Sequence, residues 1–163
     1  RAMSRARNPG TRDHVANPVT PWTPSRRAVA KVANPLPVPD VCRLCGAEVD
    51  AVKNDVIYNG QKYGKWPWVY LCRGCGAHVG MHPFTGIPLG TLALKPLREA
   101  RKQAKAAFNV LWHGGAAVMT RSQAYAWLAG QLGIHPVEAC HIGWFEEPEC
   151  KATVVAVRKY LEQ

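Results

Sequence analysis

At 163 residues, 47% of them hydrophobic, the chain can bury one core with an extension, or two very small cores. Its 21 basic residues outnumber 11 acidic ones, and the formal charge of +10 turns it away from cationic partners and towards polyanions, DNA or RNA first. We expect no bilayer-spanning helix, no secretory signal and no membrane partner, and the C-x-x-C grouping of the cysteines suits a metal in a reducing, cytoplasmic setting better than disulfides.

Residues 1–40 contain seven of the 13 prolines and little apolar periodicity. Seven basic residues face Asp13 and Asp40, a net +5. This composition predicts a flexible basic arm, with Arg5, Arg7, Arg12, Arg26 and Arg27 available to phosphates; a plain linker is the alternative.

Residues 41–90 read as a zinc ribbon and its following loop. Cys42 and Cys45, then Cys72 and Cys75, form two C-x-x-C pairs with 26 residues between them. Thiolates are soft ligands, and tetrahedral zinc accepts four without an open position, so the spacing predicts one structural Zn2+. Gly46 and Gly76 follow the pairs and permit a tight turn behind the metal. Iron, or a histidine replacing one cysteine, is the competing reading; His78 and His82 are left outside the ligand set.

Strands are expected over 52–58 and 68–71, with Asn59-Gly60 as a turn. Tyr58, Tyr63, Trp66, Trp68 and Tyr70 alternate with Lys53, Lys62, Lys65 and Arg73. Exposed rings can stack on bases while the cations meet phosphates. Tyr63 and Trp66 are assigned to the exposed hairpin tip, although packing within the small module explains any single ring equally well. The prolines and glycines after Cys75 predict a structured loop.

Residues 91–163 change to helical periodicity. A helix over 92–112 would turn Leu97, Ala100, Ala104, Ala107, Phe108 and Leu111 inward, with Pro96 in its first turn. Arg98, Arg101, Lys102 and Lys105 would offer phosphates a second surface, or simply form a solvated face. Thr120 and Gln123 predict a capping box, and Gly133 a stop. A short helix is expected over 136–140 and a last one over 148–161, with Cys150, Val154, Val157 and Leu161 inward.

Residues 128–142 also follow the spacing of a helix-turn-helix, with Gly133 at the turn. Its second helix would present Glu138 and His141 but no usual base-reading side chain, and a helical hairpin behind the ribbon explains the same residues. From 136 onward five acids face three bases, so the positive surface is expected elsewhere. Cys150 reads as a core residue. Cys140 beside His141 lacks an orienting acid.

The four knuckle cysteines, Val79-Gly80, His82-Pro83 and the run from Pro88 to Ala93 form one pattern with Arg98, Arg101, Phe108 and Trp112. It continues through Arg121, Ala124-Tyr125, Trp127-Leu128 and His141-Ile142-Gly143. The pattern, over 41–150, resembles a family of small zinc-finger-containing proteins of unknown function from bacteria and their phages. The resemblance implies that finger, loop and helices form one unit, in a bacterial or phage-infected cell. It supplies no reaction.

The expected fold is therefore α+β: a small zinc ribbon packed with a C-terminal region of three to four helices and preceded by the basic arm. The expected function is non-enzymatic nucleic-acid binding, with Lys62, Tyr63, Lys65, Trp66, Arg73, Arg98, Arg101, Lys102 and Lys105 as contacts. DNA and RNA, single and double strands, and the oligomeric state stay open. A protein-interaction module, such as a phage factor acting on host transcription or defence machinery, is one alternative. A metal-dependent nuclease with a second site among His78, His82, His113 and His141 is another.

Overall fold

A computed structural model describes residues 18–163. Arg5, Arg7 and Arg12 lie outside the described residues.

A three-stranded antiparallel sheet carries the ribbon. It consists of β1 (Val49–Lys53), β2 (Trp68–Cys72) and β3 (His78–Gly80), in the spatial order β1-β2-β3. The apolar run of β2 belongs at the centre, and four of its five residues are buried. Val49 pairs with Cys72, Lys53 with Trp68, and Val69 with Gly80.

The strand expected over 52–58 is corrected: β1 starts earlier and stops at Lys53. A 3-10 turn, Asn54–Val56, follows it. The buried Asn54 side chain ends the strand by acting as a piece of backbone. Its Nδ2 donates to Tyr63 O at 2.9 Å, and its Oδ1 accepts from Tyr63 N at 3.1 Å. This clamp closes the excursion over 55–66, whose reversal uses left-handed Asn59 (φ 51°) and Gly60 (φ 86°). The segment after Cys75 holds more than a loop. β3 pairs with β2, and isolated bridges join His78 to Ala93 and Met81 to Pro88.

The helical part contains α2 (Lys95–Asn109), α3 (Arg121–Leu132) and α4 (Glu147–Leu161); α1 (Arg26–Ala30) lies earlier in the chain. Pro96 occupies the first turn of α2, and Leu97, Ala104 and Phe108 form its buried face. The Thr120–Gln123 capping box opens α3, and left-handed Gly133 (φ 66°) closes it. α4 packs on both α2 and α3.

Two expectations in the helical region are corrected. Residues 136–140 form only a 3-10 turn, Val137–Ala139, followed by a second at Ile142–Trp144. Pro136 and Gly143 bracket a segment too short for consecutive α-type bonds. The helix-turn-helix spacing therefore leads to no second helix. In α4 the buried residues are Cys150, Thr153 and Val157, whereas Leu161 remains 53% exposed. Thr153 is admitted to the core because its hydroxyl donates to Glu149 O at 2.8 Å.

Cys42, Val49, Tyr70, Cys72, Ala77, Met81 and Leu92 form the ribbon core, and a larger cluster around Phe108, Leu111, Leu128 and Val157 forms the helical core. The two parts meet at a backbone crossing. Thr91 N donates to Gly143 O at 3.1 Å, and a Cβ on Gly90 would fall 2.0 Å from that same oxygen.

Of the arm expected over 1–40, the described part is tied down. Ser25 caps α1 and donates its backbone N–H to Phe84 O at 3.0 Å. Trp22 meets Trp68 edge-on at 5.3 Å, and Asn34 Nδ2 donates to Glu138 O at 3.2 Å.

Candidate metal centre and nucleic-acid interface

Each knuckle is built by the same local bonds. Cys42 N–H donates to Ala47 O and Cys72 N–H to Ala77 O, both at 2.8 Å. Gly46 (φ 78°) and Gly76 (φ 80°) provide the left-handed turns that return the chain beneath the sulfurs. A Cβ on Gly74 would lie 2.6 Å from the Ala47 Cβ, so the second knuckle needs glycine where it presses on the first.

The four sulfurs all lie within 4.8 Å of one another. Cys42 Sγ is 3.8 Å from Cys75 Sγ, and Cys45 Sγ is 3.4 Å from Cys72 Sγ. Zinc–sulfur bonds of about 2.3 Å in a tetrahedron separate sulfurs by about 3.8 Å, so the cage fits a zinc ion. The Cys75 amide at 3.4 Å and the Gly74 amide at 3.3 Å donate to the Cys72 sulfur. These donors, Cys75 first, hold the Cys72 thiol down at about 6 against the opposing effect of burial. At Cys75 the Ala77 amide acts in the same lowering sense, but burial and the neighbouring sulfurs outweigh it and push that thiol up to about 11, so a thiolate is favoured at Cys72 and zinc must displace the Cys75 proton. Four sulfur donors complete the coordination, and the zinc is structural.

The arginines are divided in a way that charge alone does not reveal. Arg101 is turned inward: its Nε donates to Phe145 O at 2.9 Å, and its two terminal nitrogens donate to Thr91 O and Thr91 Oγ1 at 2.8 and 2.5 Å. This guanidinium, expected to meet phosphates, ties Thr91 to the segment before α4. Arg43 does related work, donating to Leu92 O at 2.9 Å and pairing with Glu146 at 2.7 Å. Arg73 is exposed but paired with Asp50 at 2.7 Å. Arg98 gives one N–H to Ala93 O at 2.6 Å. Arg121 lies over the rings of Trp112 and Tyr125.

Lys62, Lys65, Lys102 and Lys105 are exposed. Tyr63 is exposed as expected, with its ring edge-on to Tyr58 at 5.0 Å. Trp66 differs from the expectation: it is half-buried between Phe84 and Trp68, and its Nε1 donates to Thr85 O at 3.0 Å. Burial, assisted by the charge of Arg98, pushes His78 down to about 4, so its imidazole is neutral at pH 7. Burial and then His141 push His82 in the same direction.

Among the described residues, the four knuckle cysteines are the one group of three or more metal-ligating side chains. His78, His82, His113 and His141 are not gathered into a second one. Cys150 belongs to the helical core, as expected. Cys140 is buried too, and burial raises its thiol to about 11, which leaves it protonated and unsuited to nucleophilic attack. No described helix is long and apolar enough to cross a membrane.

A family model for a zinc-finger-containing domain matches residues 38–160. No curated protein and no solved structure matches the chain.

Proposed function

The chain belongs to the zinc-finger-containing domain family, and from that premise we propose that it is a non-enzymatic nucleic-acid-binding protein acting in the cytoplasm of a bacterial or phage-infected cell. One observation carries the reading: the basic excess is largely unspent. Residues 18–163 hold 17 basic and 10 acidic side chains, yet only two ion pairs occur among them, Arg43–Glu146 and Arg73–Asp50. Lys62 and Lys65 stand beside the exposed Tyr63 on the hairpin tip, and Lys102 and Lys105 are exposed on α2. A cleft of about 640 Å³ lined by Arg27, Lys31, His82 and Arg121, with no acid among its described lining residues, adds a further cationic site.

The zinc folds the ribbon that carries Lys62 and Lys65 and takes no chemical part. Binding should fall steeply as salt rises, because each phosphate contact releases counterions. Fluorescence anisotropy with labelled DNA and RNA across a salt series tests this. Absence of binding at low salt would remove the reading.

Exposed Val38, Val41 and Leu44 around the first knuckle favour a second reading, a protein-interaction module. Replacing Lys62 and Lys65 with glutamate separates the two. Nucleic-acid binding should be lost, whereas a protein contact at the knuckle should survive.

A further inference from the structure

We propose that the cleft between the sheet and α2 receives an unstacked base of a single-stranded nucleic acid. The inference deepens the nucleic-acid reading and rests on it.

The cleft has a volume of about 420 Å³, within the range of about 300–1,000 Å³ usual for small-ligand sites. Tyr58, Trp66 and Trp68 supply aromatic walls, and Met81 and Leu89 add apolar surface. Arg98 lines the cleft from α2. Its side chain donates one N–H to Ala93 O and makes no other hydrogen bond among the described residues, so the guanidinium retains donors for a base edge or a phosphate. His78 also lines the cleft and, as a neutral imidazole, can both donate and accept. No aspartate or glutamate lies among the described lining residues.

This combination matches the two chemical faces of a nucleotide. An aromatic ring stacks on any base, and an arginine and neighbouring lysines meet the phosphate. The cations continue outward: Lys53 Nζ lies 4.3 Å from the centre of the Trp68 ring, while Lys62 and Lys65 follow on the tip that Asn54 clamps. Bases within a duplex are paired and stacked on both faces, so entry into the cleft would first cost their unstacking. A single strand offers its bases directly. Exposed lysines alone would not distinguish the two polymers; the cleft would.

The test uses the zinc-loaded full chain and a fluorescein-labelled DNA oligonucleotide, alone and annealed to its complement, in low salt. The single strand should bind about tenfold more tightly than the duplex and quench tryptophan fluorescence. Tyr58→Ala removes a ring that is 45% exposed and should lower single-strand affinity by about tenfold while leaving duplex affinity unchanged. Arg98→Gln should act similarly, with zinc content and circular dichroism checking its fold. Equal affinity for both polymers, or single-strand binding indifferent to Tyr58→Ala, would overturn the cleft assignment and leave general nucleic-acid binding intact. Failure of both polymers to bind would overturn the cleft and the broader reading together.

Discussion

Arg101 and Lys102 are adjacent cations with opposite fates. Arg101 satisfies Thr91 and Phe145, whereas Lys102 is exposed. Arg101→Gln should therefore cost about 3 kcal/mol by leaving partly buried carbonyls unpaired, while Lys102→Gln should stay within about 0.5 kcal/mol. Urea denaturation of the two variants measures the difference. Their sequence carries the sign of the charge but not the location of its partner, because Phe145 is distant in the chain and offers only backbone oxygen. The cysteine ligands were legible for the opposite reason: spacing itself encodes the knuckle, as Gly46 and Gly76 demonstrate.

The same scale sets an acid response. His78 sits at about 4 in the folded chain, chiefly through burial and then through Arg98, against about 6.5 when unfolded. As pH falls, protons therefore bind the unfolded chain first. The contribution to stability is full above about pH 6.5 and is lost as pH falls from there towards 4. His82 shifts in the same direction. Acid also weakens zinc binding, so the informative measurement is a comparison. His78→Gln should show a shallower loss of urea midpoint between pH 7 and pH 5 than the parent chain.

At the scale of elements, Gly90 and Gly143 have a role that helix or strand propensity does not express. Gly90→Ala would bring a methyl group within 2.0 Å of Gly143 O, and neither backbone can yield as a flexible side chain would. A loss of about 3 kcal/mol or more is expected in thermal or urea unfolding. Thr120→Ala should cost about 1 kcal/mol by removing one half of a capping box. That box was legible because it is local, as was the inward face of α2. β3 was obscured because three residues amid glycine and proline acquire strand geometry only from β2 beside them. The end of β1 was obscured as well, since Asn54 acts through Tyr63 across the hairpin.

For the whole molecule, zinc and the helical core are two separate sources of stability. The ribbon core is small and contains two of the ligands themselves, Cys42 and Cys72. Chelation should unfold the ribbon while leaving substantial helix in α2 and α4, measured by circular dichroism alongside zinc release. Cys45→Ser should reproduce the effect without a chelator. Retention of native ribbon contacts after complete zinc removal would contradict this account.

Arg43 gives that separation a limit. It lies between Cys42 and Cys45 and reaches Glu146, which caps α4 and lies 103 positions along the chain. Metal occupancy is consequently connected to the first turn of the last helix by a single side chain. Deuterium should enter the amides of Glu149 and Cys150 faster once the ion is withdrawn, and Arg43→Ala should reproduce part of that acceleration with the ion in place. The far end of the protein would then report on its coordination chemistry.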